Sequence, residues 1–292
     1  MPAFTVSQAL LVPGLVLVAL SSACSTGPQQ ATPSTQPAPA TPAGLSAAGL
    51  RLPVQDYQLS PEQQRRYDQR YYVLVRECAR RSGVDFPLPP QSAAYPEVLD
   101  RRYGISDKTI ATRFGYRLPP DPETGFKEPN FSPSQLAVIF GTVDQQQPPS
   151  DYRNGGCAAE ASRTINGVPA AAPTFEYLSR VADRVNLDDF RKSRADPRVA
   201  AAVTRWSQCM KGRGYTVHDP LRAGAEAGFA EGHVSPAETT MALADITCKE
   251  QTALFTTWHD VESRYQRRSI NADASSFSQL RTRLHTILGN LV

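Results

Sequence analysis

Apolar positions along this chain recur mostly at intervals of three and four residues. Tyr67, Tyr71, Leu74, Val75 and Cys78 share one helical face. Phe175, Leu178, Val181 and Val185 share another, as do Val199, Val203, Trp206 and Met210. Leu254, Trp258, Val261 and Tyr265 continue the pattern, followed by Phe277, Leu280, Leu284 and Leu288. This is the period of amphipathic helices that bury one stripe. It predicts helices near 60–82, 132–141, 155–166, 174–194, 196–212, 235–269 and 275–290. No stretch keeps the period of two that a half-buried strand requires. The fold class expected is all-α: a disulfide-braced helical body with a long irregular aromatic loop, preceded by a signal peptide and a disordered linker.

Three helix starts share one design. They are Ser60-Pro61-Glu62-Gln63, Ser132-Pro133-Ser134-Gln135 and Ser235-Pro236-Ala237-Glu238. Ser can cap free backbone amides, Pro suits the first helical position, and Gln or Glu three residues on can reach back to the cap. Asp196-Pro197 supplies a simpler fourth start. Val84 to Asn130 breaks the periodicity with many Pro and Gly residues, and such long irregular stretches tend to be functional or disordered. Its aromatics, Tyr95, Tyr103, Phe114, Tyr116 and Phe126, are the candidate partner surface, because aromatics on constrained loops make good contact residues. The alternative is that they pack the loop onto the helices.

The N-terminus carries a different pattern. Leu10 to Leu20 is a short apolar run interrupted by Pro13-Gly14, then Ser21-Ser22-Ala23-Cys24. About 20 apolar residues are needed to span a bilayer, so a permanent span is not expected. The order matches a lipoprotein signal peptide over 1–23, with Cys24 as the lipid acceptor. Ser21 stands where that pattern places Leu, and Met1 to Gln8 hold no Lys or Arg. An ordinary secretory peptide cut after Ala23 is the alternative. Residues 24–56, rich in Pro, Thr, Gln and Ala, bury too little apolar surface to offset their ordering entropy and read as a disordered linker. The body is then 57–292. The chain is expected to be exported and anchored on the outer face of the cell membrane, or to be secreted free.

Charge narrows the partners. The 31 basic and 28 acidic residues leave a net +3, too balanced for a nucleic-acid-binding face. Arg65-Arg66, Arg80-Arg81, Arg101-Arg102 and Arg267-Arg268 are local basic pairs. They could meet anionic lipid or wall polymer, or be solvated helix faces paired with nearby Asp and Glu.

Besides Cys24 there are four cysteines, an even number that in an exported chain implies two disulfides. Three pairings are possible. Val75-Arg-Glu-Cys78, followed by Gly83 and Pro89, echoes Trp206-Ser-Gln-Cys209, followed by Gly214 and Pro220. A Ser-Pro start and a second cysteine follow each. This order favours Cys78–Cys157 and Cys209–Cys248, within two diverged halves at about 57–170 and 171–292. No Cys-x-x-Cys or Cys/His pair has zinc-ligand spacing, and no metal or cofactor is expected.

Catalytic patterns are missing: no Gly-x-Ser-x-Gly elbow, Gly-rich phosphate loop or zinc-protease His motif. His259-Asp260, with Glu262 nearby, is the only dense titratable group on a helix, and it reads as surface. Asp188-Asp189 likewise reads as a helix-surface or capping feature.

Several elements together carry a family resemblance. They are Glu77-Cys78, Gly155-Gly156-Cys157, Asp196-Pro197-Arg198-Val199, Trp206-Ser-Gln-Cys209-Met210, Gly214-Tyr215, Asp219-Pro220 and Ala242-Leu-Ala-Asp-Ile-Thr-Cys248. The chain resembles a family of uncharacterised secreted lipoproteins of actinobacteria over most of residues 60–290. Ala79 stands where Met commonly follows the first cysteine in that family. The resemblance implies an exported, Arg-rich helical body and brings no catalytic residues. The expected function is a non-enzymatic envelope lipoprotein binding another envelope protein or a cell-wall polymer. A wall-acting hydrolase with an unfamiliar site, or a ligand-capturing component of a transporter, are the alternatives.

Overall fold

Serine side chains start three of the described helices. In the computed structural model, residues 50–90, 101–119, 127, 129–141, 155–169, 173–229 and 233–291 are described. Helix α1 (Pro61–Arg81) begins where Ser60 Oγ accepts from the Gln63 amide at 3.2 Å, and Gln63 Oε1 accepts from the Ser60 amide at 2.8 Å. Ser132 and Gln135 repeat this reciprocal cap before α3 (Pro133–Phe140). Ser235 caps α9 (Pro236–Gln251), but the Glu238 side chain does not turn back to it. It accepts from the Tyr116 amide at 3.1 Å instead, so a tertiary contact displaces the local one.

The remaining helices are α2 (Lys108–Phe114), α4 (Gly156–Asn166), α5 (Phe175–Leu178), α6 (Arg180–Arg194), α7 (Pro197–Gly212), α8 (Ala223–Glu226), α10 (Leu254–Ala272) and α11 (Ala274–Asn290). The body is all-α among the described residues, as its periodicity predicts. Two expected helices are divided. The one over 235–269 turns at Ala253, the only non-glycine with positive φ (+53°) among the described residues. There the Thr252 and Ala253 amides bond back to the Cys248 and Glu250 carbonyls and close α9. Leu254 and Phe255 are then buried at the start of α10. The helix over 174–194 is interrupted only at Ser179, which keeps right-handed geometry.

The irregular stretch contains a helix that the spacing did not reveal. Asp107 Oδ1 accepts from the Ile110 amide at 2.9 Å and starts α2, and Gly115, with φ of +57°, ends it. The expected linker also ends earlier than residue 56. Leu52 and Val54 are fully buried, and Pro53–Tyr57 form a turn of 3-10 helix. Two short apolar residues in a Pro-containing segment carry no helical period, so their burial was not readable.

Cys78 is joined to Cys157 and Cys209 to Cys248, with Cα separations of 5.4 and 5.7 Å. These are the pairs that the repeated order favours. The hook around each first cysteine also repeats. Ala79 O accepts from the Ser82 and Val84 amides, and Met210 O accepts from the Arg213 and Tyr215 amides. Each hook places a left-handed Gly, Gly83 or Gly214, at the helix stop. The repeat stops there. Cys157 lies in the first turn of α4, which runs back along α1, whereas Cys248 lies near the end of α9, which runs alongside α7 in the same direction.

The two expected halves interlock rather than pack as units. Tyr103 inserts among Val199, Trp206, Met210, Leu254 and Trp258, while Phe277, Leu280 and Ile287 of α11 join Leu52, Val54, Tyr67, Ile165 and Phe175. Burying a large side chain fully contributes about 1.5–3 kcal/mol, so each half completes the other's core.

Candidate functional site

Two of the loop aromatics, Tyr103 and Tyr116, pack against the core. Tyr103 is fully buried, its ring 5.3 Å from that of Trp258, and its hydroxyl donates to Glu262 Oε2 at 2.9 Å. Burial, reinforced by the Glu262 charge, raises its phenol above the ordinary range and keeps that donor protonated. The Tyr116 ring lies over Gly224, where a Cβ would come within 2.5 Å of it, and stacks on Phe229. Phe114 is half-buried at the end of α2 under the Arg113 guanidinium. Tyr95 and Phe126 lie outside the described residues, as does Cys24. Tyr103 therefore cannot belong to a contact surface, and Tyr116 is half-buried against the core. Tyr103 and Tyr116 dock the loop, because Trp258 and Gly224 present an apolar plane and a gap that fit them.

His259 has the look of a catalytic base without the geometry of one. Its Nδ1 lies 3.4 Å from Asp260 Oδ1, and its Nε2 lies 3.4 Å from Ser263 Oγ. That same Nε2 is 2.9 Å from the Arg51 carbonyl oxygen, which can only accept, so Nε2 carries a proton. A protonated Nε2 cannot take the Ser263 proton, and Ser263 is buried. The His259 ring instead pins the chain as it enters the body.

Two buried polar networks hold the interior, and neither was foreseen. In the first, Arg102 grips the fully buried Glu262 carboxylate through Nε and Nη2, and its Nη2 also donates to Asn186 O at 2.8 Å. Gln266 Nε2 donates to Glu262 Oε1 at 2.9 Å, while Gln266 Oε1 accepts from the Val54 amide at 3.1 Å. One turn of α10 thus ties the entering chain to the former loop. In the second, Asp245 and Lys249 pair at 3.1 Å with both side chains fully buried. Lys249 Nζ also donates to Ile105 O and Pro220 O, and Asp245 Oδ1 accepts from Trp206 Nε1. Three acceptors match the three ammonium protons. Burial pushes the Asp245 carboxyl up and the Lys249 ammonium down, each opposed by its partner's charge. The Tyr116 hydroxyl is enclosed beside Asp245. These networks are closed to solvent and lock three segments together.

The arginine pairs divide by role. Arg80 pairs with Asp85 and Arg81 with Glu160 on the surface. Arg101 and Arg102 point into the body, Arg101 donating to the Tyr116 and Arg117 carbonyls. Arg268 lies over the Tyr265 ring, and Arg267 is exposed without a carboxylate partner among the described residues.

Arg267 opens onto a groove of about 410 Å³ between the Pro53–Tyr57 turn and the last turns of α10. Pro53, Tyr57 and Ile270 form its apolar side; Arg51, Asp56 and Asn271 provide polar groups. Residues more than 200 positions apart build it, which is why no local pattern announces it. Among the described residues no three His, Cys, Asp or Glu side chains converge as metal ligands. No described helix is long and apolar enough to cross a membrane.

No protein-family model matches the chain, and neither a curated protein nor a solved structure is significantly similar to it. Function therefore rests on the residues themselves. The arrangement can bind at a groove and hold a rigid body. Among the described residues, His259 is committed to the Arg51 carbonyl, and Glu262, Asp245 and Lys249 to core contacts.

Proposed function

We propose that this chain is an exported lipoprotein, anchored through Cys24 on the outer face of the cell membrane, whose helical body binds a partner rather than turning over a substrate. The observation that carries the reading is the order of parts. A short apolar run ends at a cysteine after small residues, a Pro/Thr/Gln/Ala-rich segment follows, and the chain then enters a core at Leu52 braced by two disulfides. Disulfides of this kind persist in oxidising compartments. The commitment of His259 to the Arg51 carbonyl supports a binding role over a hydrolytic one. The partner is an envelope protein or a wall polymer, met by a face other than the Tyr103 and Tyr116 rings. The resemblance to secreted actinobacterial lipoproteins agrees with this address.

The test is metabolic labelling with radioactive palmitate, followed by crosslinking on intact cells. The wild-type protein takes up label and the Cys24→Ser variant does not. Equal labelling of both, or none of either, contradicts the anchor. Recovery of the wild-type protein from intact cells without any crosslinked envelope component contradicts the binding role.

A further inference from the structure

We propose that the groove between the Pro53–Tyr57 turn and the end of α10 binds a phosphate headgroup carried on an apolar stem, the chemistry of an anionic phospholipid. The charge of the groove points to an anion. Arg51 and Arg267 line it against one carboxylate, Asp56. Arg281 does not line the groove but lies 4.8 Å over the ring of Tyr57, which does, with its Nη2 donating to the Tyr57 hydroxyl at 2.6 Å. Arg51 is held in place by Asp56, which accepts from its Nε at 3.1 Å and its Nη2 at 2.8 Å. Arg267 is exposed and has no carboxylate partner among the described residues, so its planar fork of donors can exchange water for an anion. A guanidinium matches two phosphate oxygens at once.

The other wall selects the stem. Pro53 and the small exposed parts of Tyr57 and Ile270, each about nine-tenths buried, give the groove its apolar side. Tyr57 is fixed between Arg281 and Phe277, whose ring centroid is 4.7 Å away. A volume of about 410 Å³ lies within the range of small-ligand sites, roughly 300–1,000 Å³. Free inorganic phosphate would leave that apolar wall uncovered. Asn271 also lines the groove.

Position fits the same ligand, on the reading that Cys24 is the anchor. Arg51 follows Cys24 by 27 residues, a length of chain that spans at most about 95 Å. The groove is thus the part of the body nearest to the anchor along the chain. A headgroup captured there would fix the body's orientation on the surface to which it is tethered. His259, which holds the Arg51 carbonyl, keeps one wall of the groove in place.

The test uses the full-length chain carrying Cys24→Ser, so that no attached lipid competes. Calorimetric titration compares dihexanoyl phosphatidylglycerol below its micellar concentration, dihexanoyl phosphatidylcholine and inorganic phosphate. Phosphatidylglycerol is expected to bind at least tenfold tighter than either of the others. Arg267→Glu is expected to weaken it at least tenfold further, with the circular dichroism of the protein unchanged. Arg205→Glu, on the exposed face of α7, is expected to leave binding as it is. Equal binding of the two lipids would mean that the apolar wall acts without the cations, and would overturn the proposal. Inorganic phosphate binding as tightly as phosphatidylglycerol would assign the site to free phosphate and overturn it too. So would the absence of binding, or binding that Arg267→Glu leaves intact. Palmitate labelling of the wild-type chain reads the anchor separately, so loss of one claim does not carry the other.

Discussion

The Arg102 guanidinium and the Glu262 carboxylate, 160 residues apart, meet inside the helical body, where Glu262 is fully buried and Arg102 nearly so. Removing one partner leaves the other charged, desolvated and unpaired. Glu262→Leu is therefore expected to destabilise the body by about 3–5 kcal/mol. The double variant Arg102→Met/Glu262→Leu, which removes both charges, should recover much of that loss, less the orphaned Tyr103 hydroxyl. Urea unfolding of the two variants measures the difference. A double variant as unstable as Glu262→Leu would mean that the pair is not the origin of the effect.

Gly104 marks the closest approach of the former loop to the second network. A Cβ added there would lie 2.3 Å from Pro220 O and 2.5 Å from Lys249 Nζ, at a φ of +85°. The first contact is with backbone and cannot yield easily. Gly104→Ala is expected to cost at least ~2 kcal/mol, since the left-handed strain alone costs about 1–3. Gly214→Ala, with φ of +89° but nothing within 4 Å, should lose only the conformational part. Thermal unfolding of the two variants tests this ranking.

The disulfides close chain segments of 79 and 39 residues. Each is expected to contribute about 4 kcal/mol through the unfolded state in the chain-entropy model. Replacing both members of one pair by Ser should lower the urea midpoint by a similar amount for either pair. A negligible loss for the Cys209/Cys248 pair would show that the unfolded chain is already constrained near Trp206 and Asp245.

Asp85 ties off the end of α1. Hydrogen bonds from Arg80 and then Arg76 hold its carboxyl below the usual carboxylate range. A lowered folded value means that the contribution is complete above the unfolded carboxyl value, about 3.9, and is lost as pH falls through the folded value. The stability difference between wild type and Asp85→Asn should thus stay constant from neutral pH to about pH 5. It should shrink below about pH 3. A difference that faded between pH 7 and 5 would implicate another group.

Helix existence was legible because the Ser-Pro starts and the apolar stripes of α1, α7, α10 and α11 repeat at helical spacing. The disulfide pairs were legible because Cys78 and Cys209 sit in the same local hook. What escaped the sequence depends on contacts between distant segments. Charge reads as surface in a sequence, so Glu262 was grouped with His259 and Asp260; one α10 face exposes Asp260 while another buries Glu262 under Arg102. Nothing local tells an outward tyrosine from an inward one. Tyr103 faces inward because Trp258 and Glu262 meet its ring and its hydroxyl. Leu52 and Val54 sit in a composition that suits a linker, and only the docking against α10 orders them. The groove joins that root to Arg267, a basic residue noted in the sequence as one of a pair able to meet an anionic surface.

The central claim is that the chain leaves the reducing interior, so its sulfurs serve as one anchor and two staples. Mass spectrometry of the protein extracted from the cell envelope, with non-reducing peptide mapping, tests it most directly. The expected result is a mature N-terminus at a diacylglycerol-modified Cys24, with Cys78 linked to Cys157 and Cys209 to Cys248. Recovery of an unprocessed chain from the cytosol with five alkylatable thiols would contradict it.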